Sequence, residues 1–246
     1  MNARYLALEC KLILRSGRFM IFTLGLPVVV FLIQAAAFGG KDATYQDGTP
    51  VTPSVMVSMA VFGAMTAALS TGSRIAVERS FGWQRQLRLT PMSGTTYLLT
   101  KGLLGMLVAI PSVLLVSLTG VVVEGVRLDA TQWSQVTVGV WLGVIPFAVL
   151  GILIGQFATA DSLQAVNSAV MLVLGFAGGL WIPSQVVPDW MQHIMKATPT
   201  YWLRQIGQSA FTGGAQVGTA MLVLAGYAVV AGVIVARRYA ADTVRV

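Results

Sequence analysis

Few side chains of this 246-residue chain could take part in chemistry, since it has one histidine, one cysteine and nine acidic residues. A lone His193 excludes a site built from several histidines, such as a catalytic zinc centre. A lone Cys10 excludes an intrachain disulfide and a cysteine metal cluster. We therefore interpret His193 as a solvated residue and Cys10 as a small apolar residue of a surface helix.

The motifs that would let the chain supply its own energy are missing from the sequence. It has no G-x-x-x-x-G-K-[ST] phosphate loop, because Gly40–Lys41 is followed by Asp42. Its long apolar stretches contain no Asp or Glu that could relay protons or form the carboxylate pair of an intramembrane protease. We expect no catalytic residue, no metal and no cofactor in this chain. Any uphill movement of a solute must then draw on a partner with its own fuel.

Most of the chain lies in six long intervals without a single Asp, Glu, Lys or Arg. Each is at least 22 residues long, and they cover 19–40, 48–73, 102–123, 130–160, 162–188 and 205–236. A helix of roughly 20 residues crosses the hydrocarbon core of a bilayer. The whole chain is 56% apolar and only 10% charged. The sequence predicts an all-α integral membrane protein.

We predict one transmembrane domain over residues 1–246, with no appended soluble domain. An N-terminal amphipathic interfacial helix (1–18) precedes six transmembrane helices, and two longer connections separate some of them. The predicted transmembrane helices are 19–38, 54–73, 102–123, 137–158, 163–183 and 216–236. The two connections are a cytoplasmic loop over 74–101 and an extracellular re-entrant segment over 184–215.

The net charge of +7 follows this topology rather than a nucleic-acid site. Twelve of the 16 basic residues fall before the first span, between the second and third spans, or after the sixth. With an even number of spans these segments share one side, and excess Lys and Arg marks the cytoplasmic side. We expect a multi-pass protein of a bacterial plasma membrane with both termini in the cytoplasm.

The segment before the first span has the pattern of a helix lying on the membrane surface. Arg4, Lys11, Arg15 and Arg18 fall on one side of a helical projection, and the apolar residues fall on the other. Glu9 and Leu8 are the two exceptions to this pattern. Such a stripe would face anionic headgroups. A cleaved signal peptide is the alternative, but the apolar stretch that follows is longer than a signal core.

The second span is rich in small residues that allow helices to approach closely in lipid. It also carries methionine and phenylalanine, which could line an adaptable apolar path. The candidate residues for a translocation path are Met59, Phe62, Thr66, Asn167 and Met171. Ordinary helix packing is the alternative for each of them, and a mid-membrane amide such as Asn167 usually bonds a neighbouring helix.

The cytoplasmic loop is broken by Gly82 and Pro91, so only a short helix near Trp83–Leu89 fits between them. Such a short helix needs a partner to be stable. The stretch ERSFGWQRQLRLTPMSGTTYLLTKGL from Glu78 resembles the cytoplasmic loop of type-2 ABC transporter permeases. The stretch GGLWIPSQVVPDWMQHIMKATPTYWLRQ from Gly178 resembles the outer re-entrant segment of the same family.

The resemblance implies the type-2 ABC exporter fold, in which two six-span permeases, identical or paralogous, pair around a central path. Each would dock its loop into a cytoplasmic ATPase subunit, two copies in all, and these subunits bind ATP and Mg. The implied coupling residues are Glu78, Gly82, Arg85, Leu87, Arg88 and Pro91. The resemblance favours a drug or antibiotic exporter of amphipathic cargo. The alternatives are export of a lipid-linked glycan and a membrane anchoring or assembly protein without transport.

Overall fold

The computed structural model describes residues 3–40, 43–82, 93–214 and 216–244. In these ranges the chain forms helices and turns, with one isolated β-bridge between Thr44 and Pro50 and no strand. The all-α architecture is thereby confirmed. The α-helices are α1 (Ala3–Leu14), α2 (Gly17–Met20), α3 (Leu26–Phe38), α4 (Val51–Ser73), α5 (Ile75–Ser80), α6 (Gly94–Val122), α7 (Ala130–Ser134), α8 (Val140–Gly143), α9 (Ile145–Phe157), α10 (Leu163–Ala177), α11 (Asp189–Lys196), α12 (Pro199–Thr212) and α13 (Val217–Val244).

Helix α4 is the centre of the bundle and packs against α3, α6, α9, α10 and α12. Every residue of α4 is buried except Pro53, Thr66 and Ser70. Its small residues allow this, because close packing in lipid depends on backbones that can approach each other. A Cβ added to Gly151 of α9 would lie 2.5 Å from the Leu69 carbonyl oxygen of α4. This close contact agrees with the prediction that the small residues of the second span allow helices to approach closely.

Two of the spans are interrupted helices. A π-helical turn over Ile21–Gly25 joins α2 to α3, and a second over Gln135–Gly139 joins α7 to α8. Pro146 lies in the first turn of α9, immediately after the break at Val144. Proline lacks an amide hydrogen and clashes with the preceding turn, so the interruption at this point is expected.

Five stretches of the described residues are helical, long and apolar enough to cross a membrane, against six spans predicted. They are Ile21–Phe38, Val51–Ser80, Gly94–Val122, Ala130–Phe157 and Val217–Tyr239. Helix α10 is apolar but has 15 residues, or about 22 Å at 1.5 Å per residue. It ends at Ala177, six residues before the predicted boundary, because Gly178 and the left-handed Gly179 (φ 74°) turn the chain there.

Helix α6 begins at Gly94, within the range predicted as loop 74–101. The Ser93 hydroxyl accepts a hydrogen bond from Thr96 N (3.3 Å) and caps the helix. The prediction placed the start of the third span after Lys101, on the assumption that a charge marks the membrane boundary. In the structure, Lys101 is compensated by two carboxylates and lies inside the helix.

Helices α11 and α12 form a hairpin where a loop with a single re-entrant helix near Trp190–Lys196 was predicted. Thr200 at the start of α12 donates to Met65 Sδ (3.8 Å) in the middle of α4. Towards the end of α12, Gln132 of α7 donates to Ala210 O (2.9 Å). The hairpin therefore reaches into the middle of the bundle and returns, as a re-entrant element would.

Two names are used below for the ends of the bundle. The basic end contains α1, α5, the first turns of α6 and the last turns of α13, where a Cβ on Gly94 would meet the Tyr239 ring. The loop end contains the segment Ala43–Val51, α7 and α11.

Candidate coupling site at the basic end

Helix α1 lies against the bundle through its apolar side. Ile13 is buried, while Leu6 and Cys10 are partly buried against the same core. Lys11 and Arg15 are exposed, as the basic stripe predicts. Burial raises the pKa of the Cys10 thiol, and the neighbouring Glu9 carboxylate adds to this shift. The thiol is therefore not activated as a nucleophile. The side chains of Arg4 and Arg18 lie outside the described residues.

Glu9, which departs from the apolar side of α1, pairs with a lysine from another helix. Lys101 Nζ of α6 lies 3.0 Å from Glu9 Oε1 and also bonds Glu78 Oε1 of α5. The Tyr97 hydroxyl donates to Glu78 Oε2, and Lys101 Nζ lies 5.6 Å from the centre of the Tyr97 ring. We call these four residues the Lys101 cluster.

The Lys101 cluster is shielded from solvent, and its charges are paired. The Lys101 side chain is 1% exposed, whereas those of Glu9 and Glu78 are 16% and 21% exposed. A buried ammonium is costly unless it is paired and hydrogen-bonded. Two carboxylates surround this one, so the cluster holds α1, α5 and α6 together by charge.

The cluster lies at the base of the loop that the sequence assigned to ATPase docking. Glu78 precedes Gly82 by four residues, and Gly82 ends the described part of this segment with φ 69°. That left-handed conformation favours glycine. The other four predicted coupling residues, Arg85, Leu87, Arg88 and Pro91, lie within 83–92 and therefore outside the described residues. The predicted short helix Trp83–Leu89 lies there too.

Arg79, next to Glu78, ties α5 to the end of α9. Its Nη1 donates to Gly155 O (3.3 Å) and to Gln156 O. The last carbonyls of a helix have no partner within the helix and carry partial negative charge, so a guanidinium there is favourable. Consecutive residues of α5 thus contact α6, through Glu78, and α9, through Arg79, and Lys101 links Glu78 to α1.

The predicted path residues lie along α4 and α10, where these helices pack together. Met59 and Phe62 are buried within the chain, and Thr66 and Met171 are partly exposed. Asn167 is buried, and its Nδ2 donates to Ser73 Oγ (2.6 Å), which is the helix-packing alternative for this amide. Of these three α4 residues, Thr66 is the one that is not fully buried in the single chain, and its hydroxyl oxygen is itself shielded from solvent.

An aromatic cluster lies next to these residues on the side of the loop end. Trp181 packs edge-on against Phe62, with ring centres 5.3 Å apart, and is stacked on Phe176 at 5.7 Å. The sequence gave no sign of this contact.

Arg204 of α12 is a further residue that the sequence did not single out. It is 1% exposed, donates from Nη2 to Ser184 Oγ (2.7 Å) and from Nη1 to Gly179 O, and has no acidic partner within ion-pair distance in the described ranges. Burial lowers its pKa to about 10, against the opposing effects of Tyr201 and Tyr45. It stays protonated at neutral pH and holds the turn after α10. An arginine in an otherwise apolar stretch was the available signal.

Comparison with known proteins agrees with this arrangement. The chain is similar to the Bacillus subtilis (strain 168) protein named "Putative transport permease YvfS", with 26% identity over 220 residues, or 89% of each chain. No solved structure matches. Residues 5–212 match the family described as ABC-2 type transporter, a range that includes the Lys101 cluster, α4 and the α11–α12 hairpin. This chain is therefore a multi-pass membrane permease of the ABC-2 type transporter family.

Proposed function

We propose that this protein is the permease subunit of an ATP-driven exporter of amphipathic or hydrophobic compounds, powered by a separate ATPase. The observation that carries the proposal is the Lys101 cluster at the base of segment 83–92. The family implies an ABC transporter context with an ATPase partner. An ATPase that moves this segment would pull on α1, α5 and α6 through paired charges and on α9 through Arg79.

The direction of the chain in the membrane follows from its charges. Most Lys and Arg residues fall in the segments of the basic end, and such an excess faces the cytoplasm. The basic end is then where an ATPase could dock, and the loop end faces outward. Two permease copies and two ATPase copies complete the proposed assembly in a bacterial plasma membrane.

The partly buried positions of α4 support a path along α4 and α10. Thr66 and Ser70 are four residues apart, so they lie on one face of α4. On α10, Met171 is partly exposed one turn after Asn167, which faces α4. A path with hydroxyls and apolar side chains but no charge favours amphipathic cargo. Drug or antibiotic export fits this chemistry best, and lipid-linked glycan export is the nearest rival.

Vesicle transport tests the proposal directly. The permease and an ATPase encoded beside it are reconstituted together, and ATP-dependent accumulation of the amphipathic dye Hoechst 33342 is measured in inside-out vesicles. We expect accumulation with both subunits and none when the ATPase is left out. ATP hydrolysis without movement of the dye, of other amphipathic drugs or of a glycolipid would instead support the anchoring function.

A bulky substitution tests the path separately from docking. Thr66→Trp should block transport while the ATPase still co-purifies, because Thr66 is one of the three α4 residues that are not fully buried. Leu222→Trp is the matched control, since Leu222 is 76% exposed on α13 and lies outside the proposed path. Equal transport by Thr66→Trp and the control would contradict the path.

A further inference from the structure

Two cavities of opposite character lie side by side at the loop end. The first, which we call the polar cavity, has a volume of about 420 Å³, and four carboxamides contribute to its lining, from Gln192, Gln205, Gln208 and Gln216. The second, the apolar cavity, has a volume of about 440 Å³ and is lined mainly by apolar groups, including Phe38, Val55, Trp181 and Ile182. Each volume is in the range of small-molecule sites.

Two short segments contribute to both cavities and form the wall between them. In the segment Ala43–Val51, Tyr45 and Val51 line the apolar cavity, whereas Asp47 and Thr49 line the polar one. After α10, Pro183 lines the apolar cavity and Ser184 lines the polar one. The wall is therefore one chain segment thick at these points. A molecule that occupies both cavities must be polar at one end and apolar at the other.

Hydrogen bonds hold this wall in place. Tyr45 N donates to Thr49 O (2.9 Å), and Thr49 N donates to Asp47 Oδ1 (3.0 Å). On the other segment, the buried Arg204 donates to Ser184 Oγ (2.7 Å). The guanidinium thus supports the wall from inside the protein.

The lining of the polar cavity selects a class of ligand. A carboxamide both donates and accepts hydrogen bonds, and so does each hydroxyl of a sugar or polyol. Among the described residues, no Lys, Arg or His lines the cavity, and Asp47 is the one acidic side chain. Within this lining an anionic head would meet a carboxylate and no cation, and it is therefore disfavoured.

We propose that the two cavities form one outer site for a molecule with a hydroxyl-rich, non-anionic head and a hydrocarbon tail. The head occupies the polar cavity and the tail occupies the apolar cavity. That this occupant is the exported cargo, held before release, rests on the proposed function. That the site binds such a molecule does not, so binding and transport are tested apart.

Photolabelling of the full chain in lipid nanodiscs tests the site without ATP or a partner. The probe is dodecyl maltoside with a diazirine at the end of its tail, and labelled peptides are mapped by mass spectrometry. We expect labelling at 181–186 that excess dodecyl maltoside suppresses but dodecylphosphocholine and maltose do not. Labelling on the lipid-exposed Leu222 and Val229 of α13 is the background and should persist. Equal suppression by dodecylphosphocholine, or suppression no greater than on α13, would overturn the proposal.

Substitutions in the polar cavity test the position of the head. Gln205 and Gln216 lie at the surface of the bundle. Gln205 Nε2 donates a hydrogen bond to Gln216 Oε1 (3.1 Å). In the double variant Gln205→Leu/Gln216→Leu, half-maximal suppression of the labelling at 181–186 should require roughly tenfold more dodecyl maltoside, because two hydrogen-bonding groups are lost. Gln46→Leu is the control, because Gln46 is exposed in the same wall segment but lines neither cavity. Unchanged suppression in the double variant would contradict the assignment of the head.

Vesicle transport of radiolabelled dodecyl maltoside then separates this inference from the proposed function. Binding together with ATP-dependent transport supports both. Binding without transport of this or any other compound keeps the site as one for a resident glycolipid and contradicts export. Transport of Hoechst 33342 without suppressible labelling contradicts the site alone.

Discussion

At Lys101, one ammonium group is shared by two carboxylates that come from different helices. Glu9 and Glu78 approach it from α1 and α5, and Tyr97 orients Glu78 by a hydrogen bond. Loss of the lysine would leave two like charges close together. The contact of α1, α5 and α6 in the cluster therefore depends on Lys101, and substitution of this lysine tests how much the contact contributes.

We predict that Lys101→Met lowers the free energy of unfolding by about 1–3 kcal/mol. This is below the 3–5 kcal/mol typical of a broken buried pair, because the two carboxylates are partly exposed and can be solvated. Thermal unfolding of the purified protein in detergent, followed by circular dichroism, gives the measurement. Lys11→Met, at an exposed lysine of α1, should shift the transition little. A similar shift in both variants would show that the cluster adds no stability.

Among the elements, α4 and α9 approach each other most closely through glycines. Gly151 faces the Leu69 backbone. A Cβ added to Gly155 would lie 3.0 Å from Gly72 O. Backbone atoms cannot move aside as a flexible side chain can, so even a methyl group must push the helices apart.

We predict that Gly151→Ala lowers the thermal transition temperature and the yield of monodisperse protein, at a cost of about 1–3 kcal/mol. Gly226→Ala of α13 is a matched control, because nothing lies within 4 Å of the added Cβ. Alanine also has the higher helix propensity, so the control should be neutral or slightly more stable. Size-exclusion chromatography and circular dichroism compare the two. Equal behaviour would rule out a tight α4–α9 contact.

Arg79 gives a second test at the level of elements. Arg79→Gln should weaken the attachment of α5 to the end of α9 by about 0.5–1.5 kcal/mol, since it removes a charge from the helix C-terminus. Hydrogen exchange of the last turn of α9 reports this directly and should become faster. Arg74→Gln, at an exposed arginine of the same connection, should leave that exchange unchanged. Slower or unchanged exchange in Arg79→Gln would contradict the capping role.

The sequence predicted the elements better than the contacts between them. Runs without charge located the apolar helices, because a charge in lipid is costly. The same rule misplaced the start of α6, since it treats Lys101 as a boundary and cannot know that Glu9 and Glu78 neutralise it. It also missed the buried Arg204, which is satisfied by the turn after α10. Glu9 was visible as a charged exception on the apolar side of α1, but its partner lies 92 residues away.

At the scale of the whole molecule, helix α4 connects the two ends of the bundle. The basic end holds the Lys101 cluster and Arg79, and α4 runs from there towards the loop end with its partly buried positions Thr66 and Ser70. Movement at α5, which follows α4 after a single residue, would therefore reach the path. We predict that Glu78→Ala spares membrane insertion but reduces the amount of ATPase recovered with the permease. Glu124→Ala, a carboxylate at the opposite end, is the control.

Recovery of the ATPase with a Gly82→Pro variant tests the central claim most directly. Gly82 and Gly125 both have positive φ (69° and 66°), at opposite ends of α6 and its preceding segment, and no atom of the described residues lies within 4 Å of a Cβ added to either. Proline cannot adopt that conformation, so both variants carry the same local strain. We expect Gly125→Pro to pull down the ATPase normally, whereas Gly82→Pro inserts into the membrane and recovers little. Normal recovery by Gly82→Pro, together with undiminished recovery by Glu78→Ala, would contradict ATPase docking at the basic end.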